Sequence, residues 1–408
     1  MYVIRLKPLN EQTDDMCKYH FNKHLGDICH VPEKTNILFG SSDILNFHHS
    51  INGHKPTPLY SLKSLSAKFG IKDIFVKDES QRFDLNAFKI LGASYAIYRF
   101  LKKRYEQVTG VEMENLFSPN VKKTLPLYTF CTATDGNHGR AVAWMANKLN
   151  QKAVIYIPSD TVTARIESIK KEGAKVILVN GSYDDAVKMA FDEAKKNDWQ
   201  VISDTSYENQ IEIPLLISAG YTTLFKEIDD QLENEKLSDN DFIFIQCGVG
   251  ALAATAGWFY NRYYKQSMPT LVCVEPTESA CVFDSMKYNV GEITVSRGSL
   301  NTIMAGLNCG TPSEIAFPYI KNNYKLFLTI NDKFAENSMK TFYNPIGDDP
   351  RIISGESGAT GLAALLAIFE NRNLSHIKDK LFNKNSRVLL INTEGDTDPE
   401  NFNKIINS

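Results

Sequence analysis

Three stretches of this chain place reactive residue types in patterns that suit chemistry. In FVKDESQRFDLNAFKILGASYA a strand ends at Lys77-Asp78-Glu79, and a helix is predicted to begin near Asn86, a good N-cap residue. Lys89 then falls in the first helical turn, between Phe88 and Ile90-Leu91-Gly92. An ammonium among apolar neighbours has its pKa lowered or requires a partner, and a neutral lysine amine is what Schiff-base chemistry requires. The alternative is a helix lysine that snorkels to water. In the second stretch, Asp135-Gly136-Asn137-His138-Gly139 separates a strand from a helix. Its glycines let backbone N–H groups approach an anion, although Asp135 and Asn137 could equally serve as helix caps. The third, Gly248-Val249-Gly250-Ala251-Leu252-Ala253, runs from a strand into a helix of small residues, a geometry that cradles a phosphate. It also fits the G-x-G-x-x-A dinucleotide fingerprint, with Glu275 ending the next strand where a ribose-binding acid would sit.

These loops need a scaffold, and the chain supplies one. Apolar runs rich in Val, Ile, Phe and Tyr occur at 73–79, 127–133, 153–158, 175–180, 200–205, 242–248, 270–275 and 387–393. They are apolar throughout instead of alternating, as suits strands covered on both faces. Segments with helical spacing, such as AVAWMANKLN, TARIESIKKEG and YDDAVKMAFDEAKK, lie between them, and Lys171-Glu172-Gly173 closes one with a glycine. Repeated strand–helix–strand units predict an α/β fold of open, mostly parallel sheets with helices on both faces. The polar stretch around 105–125 reads as a surface excursion, and there is no internal repeat or low-complexity linker.

Composition narrows the function classes. With 408 residues, 43% hydrophobic and 23% charged, the chain can bury a large core over two or three domains. A formal net charge of −3 argues against a nucleic-acid partner held by a basic surface. No run approaches the roughly 18 apolar residues of a membrane helix. The first residues show no secretory signal, so a cytoplasmic location and no membrane partner are expected. Seven cysteines without C-x-x-C spacing suit neither a disulfide scaffold nor a zinc ribbon. His20 and His24 would share one face if helical, but no acidic third ligand follows at a characteristic distance. No metal is expected, and the six histidines among the first 54 residues read as polar side chains on the surface.

An early-helix lysine, an Asn-bearing glycine turn about fifty residues on and a later glycine phosphate loop resemble the fold type II pyridoxal-phosphate enzymes. Pro56-Thr57-Pro58-Leu59 fits the sequence that leads into their sheet. Within that group, RFDLNAFKILGASYA, ATDGNHGRAVAW, SDTSYENQIEIPLLISAGYTTL, QCGVGALAA, TIMAGLNCGTPS, SGESGATGL and NTEGDTDP occur in this order. From about residue 40 onward they resemble the diaminopropionate ammonia-lyase family. The aspartate in DGNHG and the closing EGDTDP discriminate, because the related serine and threonine dehydratases generally have a serine at the Asp135 position. Such a dehydratase is the alternative reading; the nicotinamide rival lacks any need for Lys89.

The resemblance implies a set of roles. Lys89 holds pyridoxal phosphate as a Schiff base, and Gly248, Val249, Gly250, Ala251 and Leu252 bind its phosphate. Asn137 contacts the ring hydroxyl, Thr393 the pyridine nitrogen, and Glu356 lines the cleft. Family members commonly have Ser-Thr where this chain has Asn392-Thr393, so the pyridine contact is the assignment with least support. The implied reaction is α,β-elimination of D- or L-2,3-diaminopropionate to pyruvate and two ammonia, with Asp135 and Asp204 as bases for the D and L isomers. Asp204 ends a predicted strand, where parallel sheets place site residues, although it could instead cap a helix starting near Asn209. The resemblance further implies a small mobile domain at 88–207, a large domain from 1–87 and 208–408, and a homodimer.

Overall fold

Eleven strands among the described residues of the computed structural model sort into two sheets; the structure describes residues 17–26, 32–206 and 210–408. In chain order they are β1 (Lys18–Phe21), β2 (Leu59–Ser61), β3 (Asp73–Asp78), β4 (Thr129–Ala133), β5 (Lys152–Pro158), β6 (Lys175–Val179), β7 (Gln200–Val201), β8 (Phe242–Gln246), β9 (Thr270–Pro276), β10 (Tyr324–Ile330) and β11 (Arg387–Asn392). The larger sheet has the order β1-β10-β9-β8-β11-β3-β2 and the smaller β6-β5-β4-β7. Only the edge strands β1 and β2 pair antiparallel; every other ladder is parallel.

The apolar runs explain this architecture. Along β8, Phe242 and Phe244 enter one core while Ile243 and Ile245 enter another, and β9 alternates likewise. Both faces of the large sheet are therefore covered, as an uninterrupted apolar strand requires. In the small sheet Phe130 and Ile155 join the core shared with the large sheet, whereas Cys131, Val154 and Tyr156 face a separate cluster beneath the helix Tyr183–Asn197. One continuous core thus runs between the sheets.

All eight predicted runs contain strands. The run 200–205 keeps only its first two residues, because the backbone leaves the ladder beyond Ile202 and bends at Asp204-Thr205. β1 and β2 escaped prediction because they are short edge strands, and β10 despite its apolar sequence YKLFLTI. The 105–125 stretch is not wholly superficial: Met113, Leu116 and Val121 are buried. Two histidines also depart from the surface reading. His48 is fully buried between the Thr223 hydroxyl (2.7 Å) and the Leu91 carbonyl (2.9 Å), and burial pushes its pKa down to about 3. His54 lies 3.3 Å from buried Glu227. His20 is in β1 and His24 in the following turn, so they share no helix face. Asn209 and the proposed 207/208 domain boundary fall outside the described residues.

Candidate active site

Lys89 is the first residue of a long helix, Lys89–Thr109, whose N-cap position is Phe88. Asn86 is not the cap: it adopts φ 58°, and Ala87 forms an isolated antiparallel bridge with Glu394. The chain is thereby stitched to the end of β11, a link repeated by the Phe88 N–H to Thr393 carbonyl bond of 3.2 Å. Further along, the helix crosses Glu212–Gly220 so closely that a Cβ on Gly220 would lie 2.4 Å from the Leu91 carbonyl oxygen. Only glycine permits that approach, and it fixes the start of the lysine helix against its neighbour.

The Lys89 amine does not reach for water. Nζ donates to Asp204 Oδ2 at 2.5 Å, with the carboxylate buried. Burial opposes the ammonium, but the Asp204 carboxylate overrides it and holds the Lys89 pKa above its ordinary value. For Asp204, burial pulls upward while Lys89 and His138 pull downward, leaving the carboxyl at about 2. The helix beyond Asp204 begins at Glu212 without a side-chain cap, so Asp204 is not spent on capping.

The turn after β4 is shaped by Thr134, whose hydroxyl oxygen accepts from the Gly136 N–H (2.9 Å) and the Gly139 N–H (3.0 Å). The following helix, Asn137–Lys148, has Gly136 at its N-cap and no side-chain cap, so neither Asp135 nor Asn137 caps it. Asn137 Nδ2 instead donates to Glu394 Oε2 at 2.5 Å. Burial raises the Asp135 pKa, opposed by Arg165 and Lys89. His138 Nε2 donates to the Ile202 carbonyl at 2.7 Å, next to the Asp204 turn.

After β8 the backbone runs through Gly248-Val249-Gly250 into the buried helix Ala251–Tyr264. Gly250 has φ +104°, and a Cβ there would meet Ile320 Cδ1 at 2.8 Å. This is a strand-to-helix turn that exposes amide N–H groups and the positive end of a fourteen-residue helix. Glu275, the ribose candidate of the dinucleotide alternative, is fully committed elsewhere. It accepts from the Val282 and Phe283 N–H groups at 2.8 and 2.6 Å, and burial raises it to about 8.

Lys89, Asp135, Asn137, Asp204, the 248–252 turn and Thr393 line one cavity of about 400 Å³. Glu356 does not. Its carboxylate points away and accepts from Asn401 Nδ2 at 2.5 Å, while its neighbours on the wall are Ser357 and Glu394. The departure at Asn392 is also outside the cavity: its amide donates to Asp78 Oδ1 (2.8 Å) and the Ile353 carbonyl (2.9 Å). Sequence reasoning missed Arg165, Tyr183, Tyr221, Gln246 and Glu394, all on the wall. Gln246 and Glu394 lie inside the quoted motifs QCGVGALAA and NTEGDTDP, and Tyr221 inside SDTSYENQIEIPLLISAGYTTL. Arg165 and Tyr183 come from two separate helices, Thr163–Lys171 and Tyr183–Asn197, and nothing local marks them.

Residues 51–394 match the sequence model of the pyridoxal-phosphate dependent enzyme family. The diaminopropionate ammonia-lyase of Escherichia coli (strain K12) is 39% identical over 379 residues, spanning 91% of this chain and 93% of that protein. That of Salmonella typhimurium (strain LT2) is 36% identical and spans 96% and 98%. The chain belongs to the diaminopropionate ammonia-lyase family. The crystal structure of the E. coli diaminopropionate ammonia-lyase with an aminoacrylate–pyridoxal-phosphate azomethine intermediate superposes with a TM-score of 0.83, at 36% identity and 96% coverage of both chains. The fold is accordingly fold type II.

The residues present fit the cofactor of this family. The glycine turn leaves a cradle that a Cβ on Gly248 would crowd, meeting Cys309 Sγ at 3.1 Å. The chemistry of the donor set matches as well: an amine at Lys89, amides at 248–252, and a hydroxyl at Thr393 line the same space.

Proposed function

We propose that this chain catalyses the pyridoxal-phosphate-dependent α,β-elimination of 2,3-diaminopropionate, in its D or L form, to pyruvate and two ammonia. The observation that carries this is the half-buried Lys89 bonded to the buried Asp204, in a cavity that also holds Asp135 and the 248–252 turn. Lys89 would supply the amine that holds the cofactor aldehyde, and the 248–252 amides with the helix Ala251–Tyr264 would hold its phosphate. Asn137 would contact the ring hydroxyl, and Thr393 the ring nitrogen. Bound there, pyridoxal phosphate supplies an electron sink for charge developing at the substrate α-carbon.

Asp204 is adapted to act as a base by its dependence on Lys89. Once the lysine amine is engaged elsewhere, burial is the largest influence left on the carboxylate, and its proton affinity rises. Asp135, already raised by burial, supplies a second base, and the two serve opposite isomers. Both carboxylates also suit a substrate with a second ammonium group. The walls exclude water from the reacting carbon, and residues 88–207, which carry the small sheet, act as a mobile domain that completes the closure. A cytoplasmic homodimer belongs to the same reading.

The test is pyruvate release by the pyridoxal-phosphate-loaded protein from D- and L-2,3-diaminopropionate, with D- and L-serine and L-threonine alongside. Turnover of either diamino acid above that of the hydroxy amino acids is expected. Preference for serine or threonine would overturn the substrate assignment in favour of a dehydratase.

A further inference from the structure

Gln246, the last residue of β8, is 3% exposed and its side chain lies under the cavity floor. Its Nε2 faces four oxygens: the carbonyls of Ser357 (3.1 Å), Gly358 (3.3 Å) and Ile391 (2.8 Å), and the Thr393 hydroxyl (3.0 Å). Three of these can only accept, so the amide must present its NH₂ to them; turned over, its carbonyl oxygen would confront three others. Towards Thr393 the amide can therefore only donate, and the Thr393 oxygen accepts. The hydroxyl hydrogen must then point elsewhere, and among the described residues nothing accepts it, although Thr393 is only 4% exposed. A buried hydroxyl with an unspent donor on the wall of a cavity specifies an acceptor inside that cavity.

The geometry points to Gln246 as a positioning residue that fixes Thr393 as a donor and thereby selects an unprotonated cofactor ring nitrogen. This rests on the reading above, in which Thr393 faces that nitrogen. An unprotonated pyridine nitrogen offers the lone pair the Thr393 proton lacks. A pyridinium N–H would need a lone pair from Thr393 and leave the hydroxyl proton still without an acceptor in a buried site. The amide thus acts on the cofactor through the direction of the Thr393 hydrogen bond.

The experiment is a double-mutant cycle on the cofactor-loaded protein: wild type, Gln246→Met, Thr393→Val and the double variant. The dissociation constant for pyridoxal phosphate and the visible absorption maximum are measured for each. Gln246→Met and Thr393→Val should each weaken binding by about three- to tenfold. They should shift the band in the same direction, and the double variant should match Thr393→Val alone. Fold-changes that multiply, or an unshifted band in Gln246→Met, would overturn the inference while leaving the cofactor site standing. A wild-type protein that takes up no pyridoxal phosphate would overturn the site reading itself. Should Gln246→Met not fold, Gln246→Leu, which also lacks the donor, carries the same cycle against Thr393→Val with the same criterion.

Discussion

Asn137 Nδ2 and Glu394 Oε2 meet at 2.5 Å and tie the turn after β4, in the small sheet, to the residue pair that follows β11 in the large one. Glu394 is fully engaged: its other oxygen accepts from the Ser357 N–H at 3.1 Å, and Thr397 donates to Oε2 at 3.3 Å. The Asn137 loop is therefore held by a carboxylate that is itself fixed, across the cavity that separates the two sheets.

That bond should be measurable without cofactor. In a double-mutant cycle of Asn137→Ala with Glu394→Gln, chemical unfolding of the cofactor-free protein should give a coupling of about 1.5–3 kcal/mol, the range for a hydrogen bond to a charged group. Additivity within about 0.5 kcal/mol would show that the tie contributes nothing.

The Lys89–Asp204 pair makes the cofactor-free protein sensitive to acid with a definite sign. Asp204 has its pKa depressed from 3.8 to about 2, so its contribution is present above the unfolded value and is lost as pH falls from about 4 to 2. Nearly two units correspond to about 2 kcal/mol. Lys89 is raised, so its contribution persists below its ordinary pKa and is lost only in strong alkali. Unfolding measured against pH should show wild type more stable than Asp204→Asn at pH 7, with the gap closing below pH 4. A gap independent of pH would place the stabilisation elsewhere.

Asp135 and Asp204 should separate by substrate isomer. Removing a general base costs on the order of 10²–10⁴ in rate. Asp135→Asn should lose that activity with D-diaminopropionate and Asp204→Asn with the L isomer, while each retains most of its turnover of the other. Equal losses with both isomers in both variants would end the division of labour, and the near-contact of Asp204 with Lys89 would then explain its importance for either substrate.

Much of this was legible because strands with two covered faces leave a plain apolar signature, and glycine turns at strand ends leave another. Lys89 stood out as a cation among apolar residues, and the 248–252 turn by its glycines. Asn86 misled because a good N-cap residue is equally at home at positive φ, and the bridge of Ala87 to Glu394 decided between them. Glu356 misled for a different reason. Consecutive residues in an irregular segment point in different directions, so Ser357 faces the cavity while Glu356 turns to Asn401, and no periodicity announces which. The sequence suggests exposed positions for His48 and His54 because it does not show Thr223, Leu91 or Glu227 arriving from more than forty residues away.

The same blindness to distant partners hid a buried ionic cluster, which supports the turn leading into Lys89. Glu227 accepts from both terminal nitrogens of Arg82 (2.8 and 2.7 Å) and from Lys77 Nζ (2.9 Å), while Arg82 also pairs with Glu79 at 2.8 Å. Lys77, Glu79 and Arg82 are at most 1% exposed, so removing one carboxylate leaves an uncompensated positive charge with no water to take it up. Glu227→Gln should cost about 3–5 kcal/mol in unfolding free energy. Glu167→Gln, which breaks the half-exposed pair with Lys170, should cost less than about 1 kcal/mol. Because Arg82 belongs to the turn Glu79–Asp84 just before Lys89, Glu227→Gln should also weaken pyridoxal-phosphate uptake, whereas Glu167→Gln should not. Equal stability losses in the two variants would mean that the buried cluster is hydrated in solution and does not anchor the lysine helix.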